Sequence, residues 1–175
     1  MRMPKQIVIV AALMFAVSAL SAQSYGLGRA ATTDEVTSWD VTIGPDGKGL
    51  PAGSGTPAEG AQVYDLRCKE CHGEAAAGGD QVGFIGKPEQ LLDEKTVRTV
   101  GSYWPYATTL FDYTRRAMPF DRPGTLTNDQ IYAVTAYILE LNEIIGKDEA
   151  MNAESLPKVK MPNRDGFIRD PRPKR

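Results

Sequence analysis

Two thiols and an imidazole stand within five residues, Cys68-Lys69-Glu70-Cys71-His72, and they are both cysteines and the only histidine of the 175-residue chain. Thiols at this spacing can add to the two vinyl groups of one porphyrin, and the histidine that follows is placed to ligate the iron from one face. The chemistry written in this pentapeptide is covalent attachment of one haem, with Cys68 and Cys71 as donors and His72 as the proximal iron ligand. Other uses of C-x-x-C fit less well. Zinc needs two further ligands, which here would have to be carboxylates, an unusual closed set. A redox dithiol sits behind a strand in a βαβ pattern, and no such pattern precedes Cys68. A plain disulfide leaves the adjoining histidine unexplained.

A second axial ligand must be a methionine if it is a side chain of the electron-transfer kind, because no second histidine exists. Histidine paired with a thioether is the combination in which methionine raises the reduction potential. Beyond the N-terminal apolar run only Met118, Met151 and Met161 remain, and only Met118 lies between the haem motif and a final helix, followed by Pro119. Met118 is the expected distal ligand. Met161, which also precedes a proline, is the runner-up, and either methionine could instead fill core space. With both axial positions filled the iron has no site for oxygen or peroxide, and no serine or cysteine has a histidine base to use. The expected activity is single-electron exchange, with no catalysis by this chain alone. A haem enzyme or gas sensor would need the sixth position open.

The elements that must position these groups are readable from caps and periodicity. Thr56-Pro57-Ala58-Glu59 offers an N-cap hydroxyl, a proline at the first helical position and a carboxylate to close a capping box. A helix is expected from there to about Cys71, with Val63, Tyr64 and Leu66 on a face and Gly60 leaving room for another helix to cross. Glu74 to Lys87 is a Gly- and Ala-rich loop able to pass close to a flat ligand. Weak periodicity follows over Pro88 to Val100. Ser102-Tyr103-Trp104-Pro105 then opens a stronger helix with Tyr106, Leu110, Tyr113 and Thr114 on one face, running toward Met118. A last helix begins at the capping box Thr127-Asn128-Asp129-Gln130, carries Ile131, Val134, Ile138 and Leu141, and stops by Gly146. It should cross the first helix near Gly60.

Arg2 and Lys5 precede an apolar run from Ile7 to Leu20 and small residues with cleavage sites around Ala19 to Ser24, the pattern of a secretory signal peptide. The run is about 14 residues or ~21 Å, short of the ~30 Å hydrocarbon core, so no membrane span is expected in the mature chain. Four segments follow: signal peptide 1–24, extended N-terminal arm 25–55, haem domain 56–146, and extended C-terminal tail 147–175. The arm holds Trp39, Val41, Ile43 and Leu50 among Gly, Pro, Ser and Asp. The tail is Pro-interrupted and basic, an arm over the surface or a partner. Formal charge is −2, and losing Arg2 and Lys5 takes it from −2 to −4, which argues against nucleic acid as a partner. A haem domain of ~90 residues is small, and a covalent porphyrin supplies the apolar body that such a core lacks.

An initial helix ending in C-x-x-C-H, a later Met-Pro and a final Leu-Thr-x-x-Gln-Ile helix together resemble a class I cytochrome c. Val100-Gly-Ser-Tyr-Trp-Pro-Tyr-Ala-Thr-Thr-Leu-Phe-Asp-Tyr-Thr-Arg-Arg-Ala-Met-Pro-Phe-Asp121, with Trp39-Asp40, Gly49-Leu50-Pro51 and Met161-Pro-Asn-Arg-Asp-Gly-Phe167, is similar to the cytochrome subunit of bacterial sulfite and sulfane-sulfur dehydrogenases. That resemblance implies an all-α cytochrome c fold of a few helices around one haem c. It implies covalent attachment through Cys68 and Cys71, axial His72 and Met118, and Tyr103 and Trp104 lining the cofactor. It also implies a periplasmic subunit that takes single electrons from a molybdenum-cofactor sulfite dehydrogenase and passes them to a downstream cytochrome or oxidase. The sulfane-type subunit carries two haems, and this chain has one motif. A free soluble carrier, or the cytochrome subunit of another periplasmic dehydrogenase such as an alcohol-oxidising quinoprotein, is the alternative.

Overall fold

The computed structural model describes residues 27–169 and 171–172, and the expected signal peptide, residues 1–24, lies outside them. The elements are α1 (Thr33–Trp39), β1 (Ser54–Gly55), α2 (Pro57–Arg67), α3 (Lys69–His72), α4 (Val100–Tyr103), α5 (Ala107–Ala117), α6 (Asn128–Leu141) and β2 (Met151–Asn152). Short 3-10 turns lie at Glu74–Ala76, Pro88–Leu92 and Leu156–Lys158. Among the described residues the architecture is all-α but for one antiparallel pairing, of β1 with β2. One compact unit ends at Asp40 and contains α1; the chain from Val41 onward forms a second.

Both expected capping boxes are made. The Thr56 hydroxyl accepts the Glu59 N–H while the Glu59 carboxylate accepts the Thr56 N–H at 2.8 Å, which holds that carboxyl below its ordinary pKa. Thr127 and Gln130 do the same at the start of α6. Gly60 is fully covered by α6, since a Cβ there would lie 1.9 Å from the Ala133 carbonyl oxygen. The crossing expected from that glycine is therefore the centre of the fold. Around it Tyr64, Phe111, Ile131, Tyr132 and Leu139 form the core, with the Phe111 and Tyr132 rings 4.4 Å apart.

Several boundaries differ from the sequence reading, each for a local reason. The first helix stops at Arg67 because Cys68 leaves helical geometry (φ −123°, ψ −36°), and α3 restarts as one turn. Leu66 is 80% exposed rather than core-facing; Gly60 and Tyr64, four apart, share the buried face, and Leu66 lies roughly 200° round from Tyr64. Pro105 disfavours helical geometry at Trp104, and with Trp104 extended at ψ 127° the expected single helix is split into α4 and α5. The last helix ends at Leu141, not Gly146, because Glu143 takes a left-handed conformation (φ 60°) and the Ile144 N–H turns back to the Leu139 carbonyl. Of the segment 88–100 only Pro88–Leu92, as a 3-10 turn, and Val100, as the first residue of α4, are helical.

The two flanking arms are more structured than expected. The N-terminal arm contains α1, capped by Thr32 and Glu35. Residues 43–55 pack on the helices: Ile43 is buried, the Tyr132 hydroxyl donates to the Pro51 carbonyl at 2.9 Å, and Asp129 accepts the Ser54 N–H at 2.8 Å. The C-terminal tail is part of the core, since Met151, Leu156, Val159 and Met161 are all buried. Pairing of β1 with β2 joins the two arms directly.

Buried Tyr64 gives the fold an alkaline limit. Its hydroxyl donates to the Gly73 carbonyl at 2.9 Å, and burial pushes its pKa up to about 12. The unfolded value is near 10, so the fold favours the neutral phenol. That contribution, about 2 kcal/mol, is complete below about pH 10 and is lost as pH rises toward 12. Thermal melts across this range should fall steeply in the wild type and less steeply in Tyr64→Phe; parallel curves would refute the assignment.

Candidate haem site

The motif sits where α2 turns into α3. Cys68 caps the junction and is half-buried, Cys71 is exposed one turn on, and His72 closes α3. Burial pushes the Cys68 thiol up to about 11, with the neighbouring Cys71 adding to the shift. A nucleophilic or redox-active cysteine needs its pKa lowered instead. Among the described residues no cluster of three or more His, Cys, Asp or Glu could hold a metal ion.

The imidazole is oriented by the backbone. His72 Nδ1 lies 2.8 Å from the Val82 carbonyl oxygen. A carbonyl can only accept, so Nδ1 carries the proton and Nε2 presents its lone pair, the arrangement typical of a metal-ligating histidine. The Phe84 ring packs against the imidazole at 4.3 Å between centroids and limits its rotation.

What brings Val82 there is the loop after the motif, folded back on α3. Its amides satisfy the carbonyls at the end of that helix: Gly78 N–H to His72 and Gln81 N–H to Cys71, at 2.9 and 2.8 Å. Gly73 (φ 78°) makes the reversal possible, since a Cβ there would meet the Gly78 carbonyl at 2.1 Å. The glycines expected to let a flat ligand approach thus also let the loop approach itself. Ala75 and Ala76 are held in the left-handed region (φ 47° and 59°), at a cost of roughly 1–2 kcal/mol each. Part of what holds them is the Phe84 N–H bond to the Ala76 carbonyl. Asn142, the C-cap of α6, ties the far end of the loop by accepting from Gly86 N–H and donating to the Phe84 and Ile138 carbonyls.

Met118 is the C-cap of α5, half-buried and extended (φ −123°, ψ 148°), its amide bonded to the Thr114 carbonyl. Met161 is only 3% exposed and belongs to the apolar core, enclosed by protein atoms. Of the two candidate thioethers Met118 is therefore the more accessible to a bound group. No hydrogen bond joins His72 to Met118. Tyr103 and Trp104 are half-buried at the α4–α5 corner; the Trp104 ring meets Tyr113 edge-on at 5.9 Å, and the Tyr103 ring meets Phe167 at 5.1 Å. The sequence reading missed Val82, Phe84 and Asn142. The first acts through a main-chain carbonyl, which has no sequence signal, and the other two through contacts across the fold.

Two adjacent thiols, a tautomer-locked imidazole with Nε2 free, and a helix crossed by the C-terminal helix define a c-type haem protein. The chemistry such a group supplies when bound is one-electron oxidation and reduction of iron. The family model for cytochrome c matches residues 57–142. A chain in the crystal structure of the sulfane dehydrogenase SoxCD from Paracoccus pantotrophus is 41% identical, with a TM-score of 0.75 over 83% of this chain and 72% of that one. No curated protein matches the chain. The chain belongs to the cytochrome c family, and as such it binds haem c covalently and carries electrons.

Proposed function

We propose that the chain is the exported, periplasmic electron-transfer subunit of a molybdenum-dependent sulfite dehydrogenase, accepting single electrons from the catalytic subunit and delivering them to a downstream cytochrome or oxidase. In this reading Cys68 and Cys71 hold the haem, His72 and Met118 bind the iron, and Tyr103 and Trp104 line the cofactor. The observation that carries it is the reach of the likeness to the SoxCD chain. At 83% of 175 residues it spans about 145, well beyond the cytochrome region 57–142, so it includes flanking segments that a generic haem domain does not need. The same likeness favours sulfane sulfur as the second reading of the donor's substrate.

Helix α1 is the segment best suited to bind a partner. None of its residues is buried, and Trp39 is 86% and Val36 55% exposed. Large apolar side chains displayed on a capped helix mark an interaction surface. Among the described residues no helix is long and apolar enough to cross a membrane, so these residues do not mark a span.

Co-expression with a neighbouring molybdoenzyme gene tests the proposal. The two proteins should copurify, and sulfite should reduce the cytochrome only in the partner's presence. Trp39→Ala should weaken the complex about 30-fold or more, as loss of an aromatic anchor of ~2 kcal/mol does, while leaving the visible spectrum intact. Wild-type protein that neither copurifies nor is reduced would sink the proposal.

A further inference from the structure

The C-terminal tail, which lies outside the cytochrome region 57–142, returns to the α4–α5 corner and is fastened there. Asn163 Nδ2 donates to the Tyr103 carbonyl at 2.8 Å, and the Phe167 ring meets the Tyr103 ring edge-on at 5.1 Å. Met161, two residues before Asn163, is part of the core, so the tail is held from inside as well. Two guanidinium groups rest on the same corner. Arg98, from the segment before α4, lies over the Tyr103 ring at 5.0 Å, and Arg164, from the tail, lies over the Tyr106 ring at 5.1 Å. The tyrosines are three positions apart in the chain, so their Cα atoms lie at most ~11 Å apart and both cations belong to one patch.

These arginines are held but not neutralised. Arg29, Arg116 and Arg122 each pair with a carboxylate, whereas among the described residues neither Arg98 nor Arg164 has one within ion-pair distance. Both are exposed. A guanidinium resting on an aromatic face keeps its N–H fork free for a carboxylate, and it has already given up side-chain freedom that binding would otherwise cost. Beside them Phe167 is 49% and Ile168 92% exposed. Arginine and aromatic side chains together are the composition of interface hot spots. Charge decides what such a patch faces. Over residues 155–169 Lys158, Lys160, Arg164 and Arg169 stand against Asp165 alone, all five exposed, in a chain whose formal charge is −2. Positive charge is thus concentrated on the tail, and its complement is an acidic surface.

We propose that the α4–α5 corner and the tail fastened to it form a docking face for an acidic protein surface, that of the dehydrogenase's catalytic subunit. Carboxylates of the partner engage the free edges of Arg98 and Arg164, and Phe167 and Ile168 supply the apolar contact beside them. The partner's identity rests on the function proposed above; the chemistry of the face rests on the corner itself. The tail then has a use that a haem domain alone would not require, which accounts for its firm attachment outside the cytochrome region.

The test uses the full-length holoprotein, the co-expressed catalytic subunit, and the variants Arg98→Glu and Arg164→Glu with their Lys counterparts. Binding is measured at rising NaCl, with phosphatidylglycerol vesicles as a second arm. Each Glu variant should bind the subunit about tenfold or more weakly at low salt and respond less to added salt, while each Lys variant, which keeps the charge, should lose no more than about threefold. The visible spectrum should be unchanged throughout, because both side chains are exposed. Glu variants that bind the subunit as the wild type does would overturn the docking face and leave the partnership standing. Glu variants that lose only vesicle binding would overturn it too, giving the face to a membrane. Wild-type protein with a c-type spectrum that does not bind the subunit at all would end the partnership and the docking face together.

Discussion

Gly60→Ala should lower the melting temperature of the holoprotein by about 10 °C or more, and Gly60→Val should leave little folded protein. A Cβ at Gly60 would stand 1.9 Å from the Ala133 carbonyl oxygen, 2.5 Å from its carbon and 2.7 Å from Tyr137 Cβ. Ala133 cannot retreat, because Gly55 of β1 also lies against it: a Cβ there would lie 2.3 Å from the Ala133 nitrogen. One residue of α6 is thus clasped between β1 and α2. Alanine is the better helix former by about 1 kcal/mol, and the overpacking it introduces costs 1–3 kcal/mol in ordinary cores and more against rigid backbone. A net loss near 3 kcal/mol is a large fraction of the 5–15 kcal/mol of a typical domain. For a domain of this size each kcal/mol shifts the melting point by about 2–4 °C or somewhat more. Because α2 carries Cys68 at its end, the haem environment should loosen as well, seen as a change in the visible spectrum of the attached haem. A Gly60→Ala melt within 2 °C of wild type would show that the crossing tolerates a methyl group, contrary to this argument.

The sequence made some of this legible and not the rest, and the division follows the range of the interactions. The C-x-x-C-H motif, the boxes at Thr56 and Thr127, and the permissive Gly60 are local signals that tertiary structure did not override. Val82 could not be found, because any residue's carbonyl could have served His72. Asn142 looks like an ordinary helix-end residue until α6 is placed against the loop, since its bonds to Gly86 and Phe84 span 56 and 58 residues. The tail was read as a surface arm because proline and lysine punctuate it, and Met151, Leu156, Val159 and Met161 follow neither a helical nor a strand period. Their burial depends on β2 pairing with β1, a contact between the two ends of the folded unit. Trp104-Pro105 was a missed local signal: the restriction that proline places on its predecessor was present in the sequence and marks the break between α4 and α5.

That tail burial bears on the axial ligand, because it separates the three methionines by role. Met151 and Met161 are core residues at 0% and 3% exposure, and replacing either with alanine should cost about 2–5 kcal/mol of stability while leaving the iron's coordination unchanged. Met118→Ala should do the reverse. With Cys68 and Cys71 intact the haem stays attached, and the half-buried C-cap position tolerates the smaller side chain with a modest fall in stability. The sulfur-to-iron charge-transfer band should vanish, carbon monoxide should bind the reduced protein rapidly at neutral pH, and the potential should drop on the order of 0.1 V or more, within the ~0.8 V range that axial ligands control. The comparison is decisive because the same three measurements on Met161→Ala should match wild type once it is folded. A band lost in Met161→Ala and kept in Met118→Ala would move the ligand to the tail and, with it, place the cofactor against the Leu156–Lys158 turn. Rapid carbon monoxide binding by the wild type would go further, opening the sixth position and removing the reason to regard the chain as a sealed electron carrier.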